Sequence, residues 1–348
     1  MKIIEPIIMD TDFKELGTID DYISLIWTTR YYKNGDFELC LDVDNEYLDM
    51  IRKDYYIYRE DDENVGIIQN ITIEINEDQK EMMIIKGKFL PCVLARRIIA
   101  VQTQLSGTVS NAVYNLISDN VIDPVIEDRK IENFLVEYSN FTDKIDAQYT
   151  GKNLLETIES ICETYGLGFK TVLNDQNEMV FSLYRGIDRS YNQEDNPHII
   201  FSDEFDNLLS SSYQENYENI VTDVLVAGEG EGNERKTLWV STDTNTGLKR
   251  YEMYQDQRNL STNNGEINED EYYEQMKEEG LENITTFTTA FNGQVYFDNY
   301  EYKKDIFMGD ICVIENNRWN IFINTRLIEI IESVSENGEY TVTPTFGV

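Results

Sequence analysis

The sequence predicts an α+β protein dominated by strands, in which two antiparallel β-barrel domains flank an α/β domain. Three observations predict it. Segments with apolar and polar residues in alternation fill roughly the first hundred positions and return after Ile199. Between them, from Thr108 onward, the apolar spacing changes to that of a helix. The 348 residues also exceed what one core ordinarily holds. The expected divisions are 1–105 for the first barrel domain, 106–199 for the α/β domain and 200–348 for the second barrel domain, with a helical excursion near 266–290.

The first strand, SLIWTTRYY from Ser24 to Tyr32, is rich in β-branched and aromatic residues. KNGD follows, and Asn34-Gly35 is a strong hairpin signal. FELCLDV then alternates, with Phe37, Leu39, Leu41 and Val43 on one face. NEYLDMIRK reads as a short helical turn, and DYYIYRE, IIQNITIEI and EMMIIKG as three more strands separated by acidic turns. In the middle, Val109, Ala112, Val113, Leu116 and Ile117 share one helical face. Leu154, Leu155, Ile158, Ile161 and Cys162 do the same, and Gly166 stands where a helix C-terminal glycine belongs. GFKTVL and EMVFSLY form a strand pair. Later, Ser212 to Glu229 is strand-like, ERKTLWVSTDTNTGLKRYEMY reads as a hairpin, Asn268 to Glu279 as a charged helix, and Val295 to Val348 as four or five short strands.

Composition excludes several functions. With 66 acidic against 29 basic residues the formal charge is −37, which disfavours both nucleic-acid binding and adsorption to anionic membranes. No apolar run approaches a membrane span, and the N-terminus lacks the pattern of a signal peptide. The single histidine, His198, rules against a histidine-based triad or a histidine-rich metal site. Cys40, Cys92, Cys162 and Cys312 are far apart among apolar neighbours and read as reduced core thiols of a protein made in a cytoplasm. The GEGEG stretch, Gly228 to Gly232, carries acids where a phosphate cradle needs free backbone N–H groups. The Asp243 turn resembles a calcium loop, but its glycine is one place early and Tyr254 stands at the position of the terminal glutamate. No catalytic, cofactor-binding or metal-binding residue is expected, and no enzymatic activity.

A similar order of segments occurs near both ends of the chain, and it reads either as the chance likeness of two three-strand meanders or as an internal repeat. Asp54 leads through IIQNITIEI and MMIIKG to Gly87, and Asp310 leads through NTRLIEIIE and YTVTPTFG to Gly347. Related barrels would place Asp54 with Asp310 and Gly87 with Gly347.

SLIWTTRYYKNGDFELCL, the Asp54 to Asp61 strand and Lys86 to Ile98 with Arg96 and Arg97 together resemble the tail-hub proteins of siphophages, prophages and tailocins of Gram-positive hosts. YTGKNLLETIESICETYGLGFK, IIFSDEFDNLLSSSYQENYENIVTDVLVAGEGEG and the C-terminal strands match the same family in type and order. The resemblance implies a structural hub. It would form a homotrimeric ring that closes the distal tail tube, with two barrels per chain presenting six units to a sixfold tube. Implied partners are the tail tube or distal tail protein, the tape-measure protein, and a spike, fibre or receptor-binding protein. DNA would pass the lumen without specific binding, helped by a negative lining. The chain ends after its last barrel strand, so a second chain would supply any wall-degrading or receptor-binding function. Trp27, Arg30, Tyr31 and Tyr32 are the candidate assembly contacts. The alternatives are a tail-associated peptidase or glycosidase, or a receptor- or carbohydrate-binding tail-tip module.

Overall fold

The computed structural model describes residues 4–347 apart from 44, 76–79, 263–266, 287, 296–299 and 317. The N-terminal third contributes β1 (Ile7–Met9), β2 (Glu15–Thr18), β3 (Ser24–Arg30), β4 (Asp36–Asp42), helix α1 (Asn45–Met50), β5 (Tyr56–Tyr58), β6 (Val65–Ile75) and β7 (Glu81–Phe89). The middle third contributes β8 (Thr103–Thr108), α2 (Val109–Ile117), β9 (Phe134–Val136), β10 (Lys144–Tyr149), α3 (Leu154–Tyr165), β11 (Gly168–Leu173) and β12 (Met179–Tyr184). The last third contributes β13 (Ile200–Ser202), β14 (Leu208–Asn216), β15 (Asp223–Ala227), β16 (Thr237–Ser241), β17 (Glu252–Asp256), α4 (Glu269–Leu281), β18 (Thr288–Val295), β19 (Ile311–Asn316), β20 (Ile321–Val334) and β21 (Tyr340–Gly347).

The helices begin and end where local chemistry directs. Thr108 caps α2 by accepting from the Asn111 N–H, and Asn153 caps α3 by accepting from Leu155 and Glu156. Gly166 closes α3 in the left-handed conformation, φ 63°. Asn268 caps α4, whose first turn carries Glu269, Asp270 and Glu271 toward the positive end of the helix dipole. The apolar faces of α2 and α3 bury against the middle strands in one core, which includes Val113, Leu116, Ile158, Ile161, Phe169 and Phe181.

Apart from β15, β16 and β17, the strands of both outer thirds belong to one 13-stranded sheet, along the path β14-β18-β21-β20-β3-β4-β7-β6-β5-β1-β2, with β19 beside β20 and β13 beside β19. Within it the same arrangement occurs twice. The order β3-β4-β7-β6-β5 in the first half matches β14-β18-β21-β20-β19 in the second. The match extends to single residues. β6 and β7 pair from Ile75↔Glu81 with a bulge at Gln69, and β20 and β21 pair from Val334↔Tyr340 with a bulge at Ile328. A shift of 259 positions carries each of those residues onto its counterpart.

The repeat's register lies one residue away from the expected one. Asp54 donates its N–H to the Ile68 carbonyl and Ile68 donates to Tyr55. In the second half Gly309 donates to Leu327 and Leu327 to Asp310. Asp54 therefore corresponds to Gly309, not Asp310, and both sit at positive φ, 64° and 92°. Gly87 pairs with Phe37 as Phe346 pairs with Phe291, so its counterpart is Phe346 rather than Gly347. Trp27, opposite Phe37, corresponds to Tyr213, opposite Phe291.

Two further expectations change. The SLIWTTRYY strand stops at Arg30, because Tyr31 turns inward and the connection to β4 is five residues, not a two-residue turn. The expected hairpin of TLWVS and EMYQD does not form: β16 and β17 lie on opposite edges of β15, antiparallel and parallel to it. Val224 and Val226 of β15 are fully buried, so the most apolar strand takes the centre. These three strands and α4 make a small unit with its own core of Val224, Val226, Val240, Leu260, Tyr272 and Met276. It lies between β14 and β18, where the first half has only the short β3–β4 connection.

Candidate assembly interface

β3 lies in the middle of the sheet. β4 pairs with one edge, and the C-terminal half of β20 pairs with the other, from Glu329↔Arg30 to Val334↔Leu25. The two halves of the chain are thus joined strand to strand. Trp27 and Tyr31 are fully buried, and Arg30 and Tyr32 are partly buried. These side chains hold the junction inside the chain. Trp27 packs on Phe37 and Phe89, with ring centroids at 5.8 and 4.8 Å. Arg30 bonds Glu329 at 2.6 Å across the junction and also pairs with Asp36.

Tyr31 is a node between three parts of the fold. Its hydroxyl donates to the Gly166 carbonyl at 3.1 Å and accepts from the Gly186 N–H at 3.0 Å. Gly309 lies so close beneath its ring that a Cβ there would overlap it. The Arg326 guanidinium covers the ring at 5.2 Å. Burial raises the phenol above its ordinary range.

A buried ionic network lies beside Trp27. Arg59 is 1% exposed and bonds Asp61 at 2.8 and 2.9 Å and Glu332 at 3.0 Å. Its guanidinium stands 5.4 Å from the centre of the Trp27 ring. Lys303 bonds Asp62 at 2.6 Å and Glu332 at 3.2 Å, and the Tyr340 hydroxyl donates to Glu332 at 2.6 Å. Burial alone would raise the Glu332 carboxyl, but Arg59 and Lys303 outweigh it and hold that carboxyl below its ordinary range. The network fastens the 59–62 turn of the first half to β20 and the 303 turn of the second. Sequence reasoning missed it, because Arg59 and Glu332 are 273 positions apart and each stands among other charged residues.

A cavity of about 690 Å³ opens beside this junction and is lined by Arg30, Asp62, Lys170, Arg185 and Lys303 among others. All five are engaged: Lys170 with Glu63, Arg185 with Asp143, and Arg30, Asp62 and Lys303 as above. Among the described residues no cluster of His, Cys, Asp and Glu could hold a metal ion, and no helix is long and apolar enough to cross a membrane. All four cysteines are free and buried, and burial raises each thiol. Glu229 of the GEGEG loop accepts from the Thr262 N–H and hydroxyl and pairs with Lys236, so it fastens two loops of the small unit.

Comparison with solved structures places this fold among phage tail proteins. The tail protein from Neisseria meningitidis MC58 matches with a TM-score of 0.59 and 14% identity, over 100% of this chain and 97% of that one. Prophage tail protein gp18 from Listeria monocytogenes EGD-e matches at 0.55 and 11%, over 99% and 94%. The 43 kDa tail protein of prophage MuSo2 from Shewanella oneidensis matches at 0.55 and 10%, over 98% of each chain. The chain shares the fold of these phage tail proteins. It belongs to the Siphovirus ReqiPepy6 Gp37-like protein family, whose model matches residues 5–348. No curated protein matches the chain.

Proposed function

We propose that this tail protein is the hub at the distal end of the tube in a phage or tailocin of a Gram-positive host, and that three copies form a ring. The observation that carries the proposal is the duplicated strand order within one sheet. A chain with two equivalent β units gives six such units from three copies, which suits a sixfold tube above and a threefold spike, fibre or receptor-binding protein below. The outer divisions, 1–105 and 200–348, act as the ring-forming units. The 106–199 unit and the small unit around α4 extend from them. The tape-measure protein and the tube or distal tail protein meet the ring from the tube side. Part of the −37 charge lines the lumen and keeps passing DNA from adhering.

The test is position in the particle. Gold-labelled antibody against this chain should mark purified tails at one distal point. Labelling along the tube, or absence from tails, would overturn the hub.

A further inference from the structure

The repeat leaves one strand edge open in each half, and the chain itself shows how such edges join. The C-terminal half of β20 pairs with β3, the strand that begins the other unit. The counterparts of these strands are β6 and β14. Among the described residues, β6 beyond Ile68 pairs only with β7, and β14 pairs only with β18 and ends the sheet. On β20 the face formed by Ile330, Glu332 and Val334 is buried, at 2%, 1% and 7% exposure. The equivalent residues of β6 are Ile71, Ile73 and Ile75, at 37%, 53% and 60%. Three isoleucines in alternation on an unpaired edge make a surface for strand addition.

We infer that β6 of one copy pairs antiparallel with β14 of the next, repeating between chains the junction that β20 and β3 make within one. This rests on the ring reading above and adds its partner surface. Transfer of the internal register sets Asn70 opposite Asn216, Ile71 opposite Glu215, Ile73 opposite Tyr213 and Ile75 opposite Ser211. No two acidic residues face each other in this register. The ion pair of Arg30 with Glu329 is replaced by two amides, so apolar contact and backbone hydrogen bonds hold the seam, and opposite charges do not. A second copy is the fitting occupant because it carries the complementary edge, and both edges are consumed when the ring closes.

The experiment is disulfide trapping in the full chain, at high salt and in assembled tails. Ile71→Cys with Glu215→Cys joins two exposed positions, and directly opposed residues of an antiparallel pair are close enough for a disulfide. Mild oxidation should give a covalent species of three chains. Thr72→Cys with Glu215→Cys, one residue out of register and on the opposite face, should give at least about tenfold less. In a second variant, Ile73→Asp should weaken association at least about tenfold and leave the circular dichroism of the monomer unchanged. A trimeric mass without the 71–215 bond, a bond within one chain, or equal trapping in the control would overturn the seam and leave the hub reading standing. A chain that is monomeric in solution and missing from tails would overturn both.

Discussion

Replacing Arg59 by Met should be among the most damaging single changes in the outer sheet. The guanidinium and the Glu332 side chain are each 1% exposed, and Asp62 is fully covered. With Arg59 gone, Lys303 faces two buried carboxylates, and Glu332 loses its guanidinium partner while keeping Lys303 and the Tyr340 hydroxyl. Removing one partner of a buried ion pair costs about 3–5 kcal/mol. Loss of the contact with the Trp27 ring adds up to about 1 kcal/mol. Met fills much of the vacated volume, so a net loss of about 3–4 kcal/mol is expected. The assay is urea unfolding at low salt, followed by tryptophan fluorescence. A double variant, Arg59→Met with Glu332→Gln, should recover about 1–2 kcal/mol of that loss, because the most deeply buried of the carboxylates that lost the guanidinium no longer carries a charge. The pH dependence has a definite sign. Glu332 is depressed in the folded chain, so its contribution is present above the ordinary glutamate range and is lost as the pH falls through the folded value. The wild type should therefore lose stability on acidification more steeply than Arg59→Met. An Arg59→Met protein within about 1 kcal/mol of wild type would refute the view that this network fastens the two halves.

Glu279 behaves in the opposite way: burial pushes its carboxyl up to about 7 against the opposing pull of Lys152. Its stabilisation is present below the ordinary glutamate range and is lost as the pH rises through about 7, so calorimetry should show Tm falling between about pH 5 and 8 and Glu279→Gln should flatten that fall. Tyr31→Phe should cost about 1–3 kcal/mol in urea titrations, since the Gly186 N–H loses its acceptor at a partly buried site and the Gly166 carbonyl loses its donor. Gly87→Ala should cost at least as much by the same measure, because the added Cβ meets the Ile67 carbonyl and the Phe37 ring.

Periodicity was enough to place most elements. Val109 to Ile117 and Leu154 to Tyr165 are helices with polar caps, where the apolar spacing predicted them. The alternating segments of both outer thirds are strands. What depended on long-range pairing was not legible. The β16–β17 hairpin was predicted from proximity in sequence, but β15 is the more apolar strand and took the centre of that sheet. The repeat was visible as an order of strands, yet its register was off by one, because the similarly placed Asp54 and Asp310 are not equivalent. The left-handed position between the halves is filled by an aspartate once and a glycine once, and only backbone hydrogen bonds reveal it. Trp27 and Tyr31 stood out by type as contact residues. Their contacts proved internal, since a large aromatic in a central strand is core by default. The exposed stripe of Ile71, Ile73 and Ile75 carried no signal in the sequence, where it reads as any other alternating strand.

The central claim is that two β units per chain assemble into a threefold ring. The most direct test is the mass of the purified protein across a salt series, measured by sedimentation. Like-charged copies repel over a Debye length of about 30 Å at 0.01 M salt and about 3 Å at 1 M. The account therefore predicts the 40.7 kDa chain at low salt and a species of three times that mass as salt increases. A monomer at every salt concentration, or a trimer that dissociates as salt rises, would contradict it.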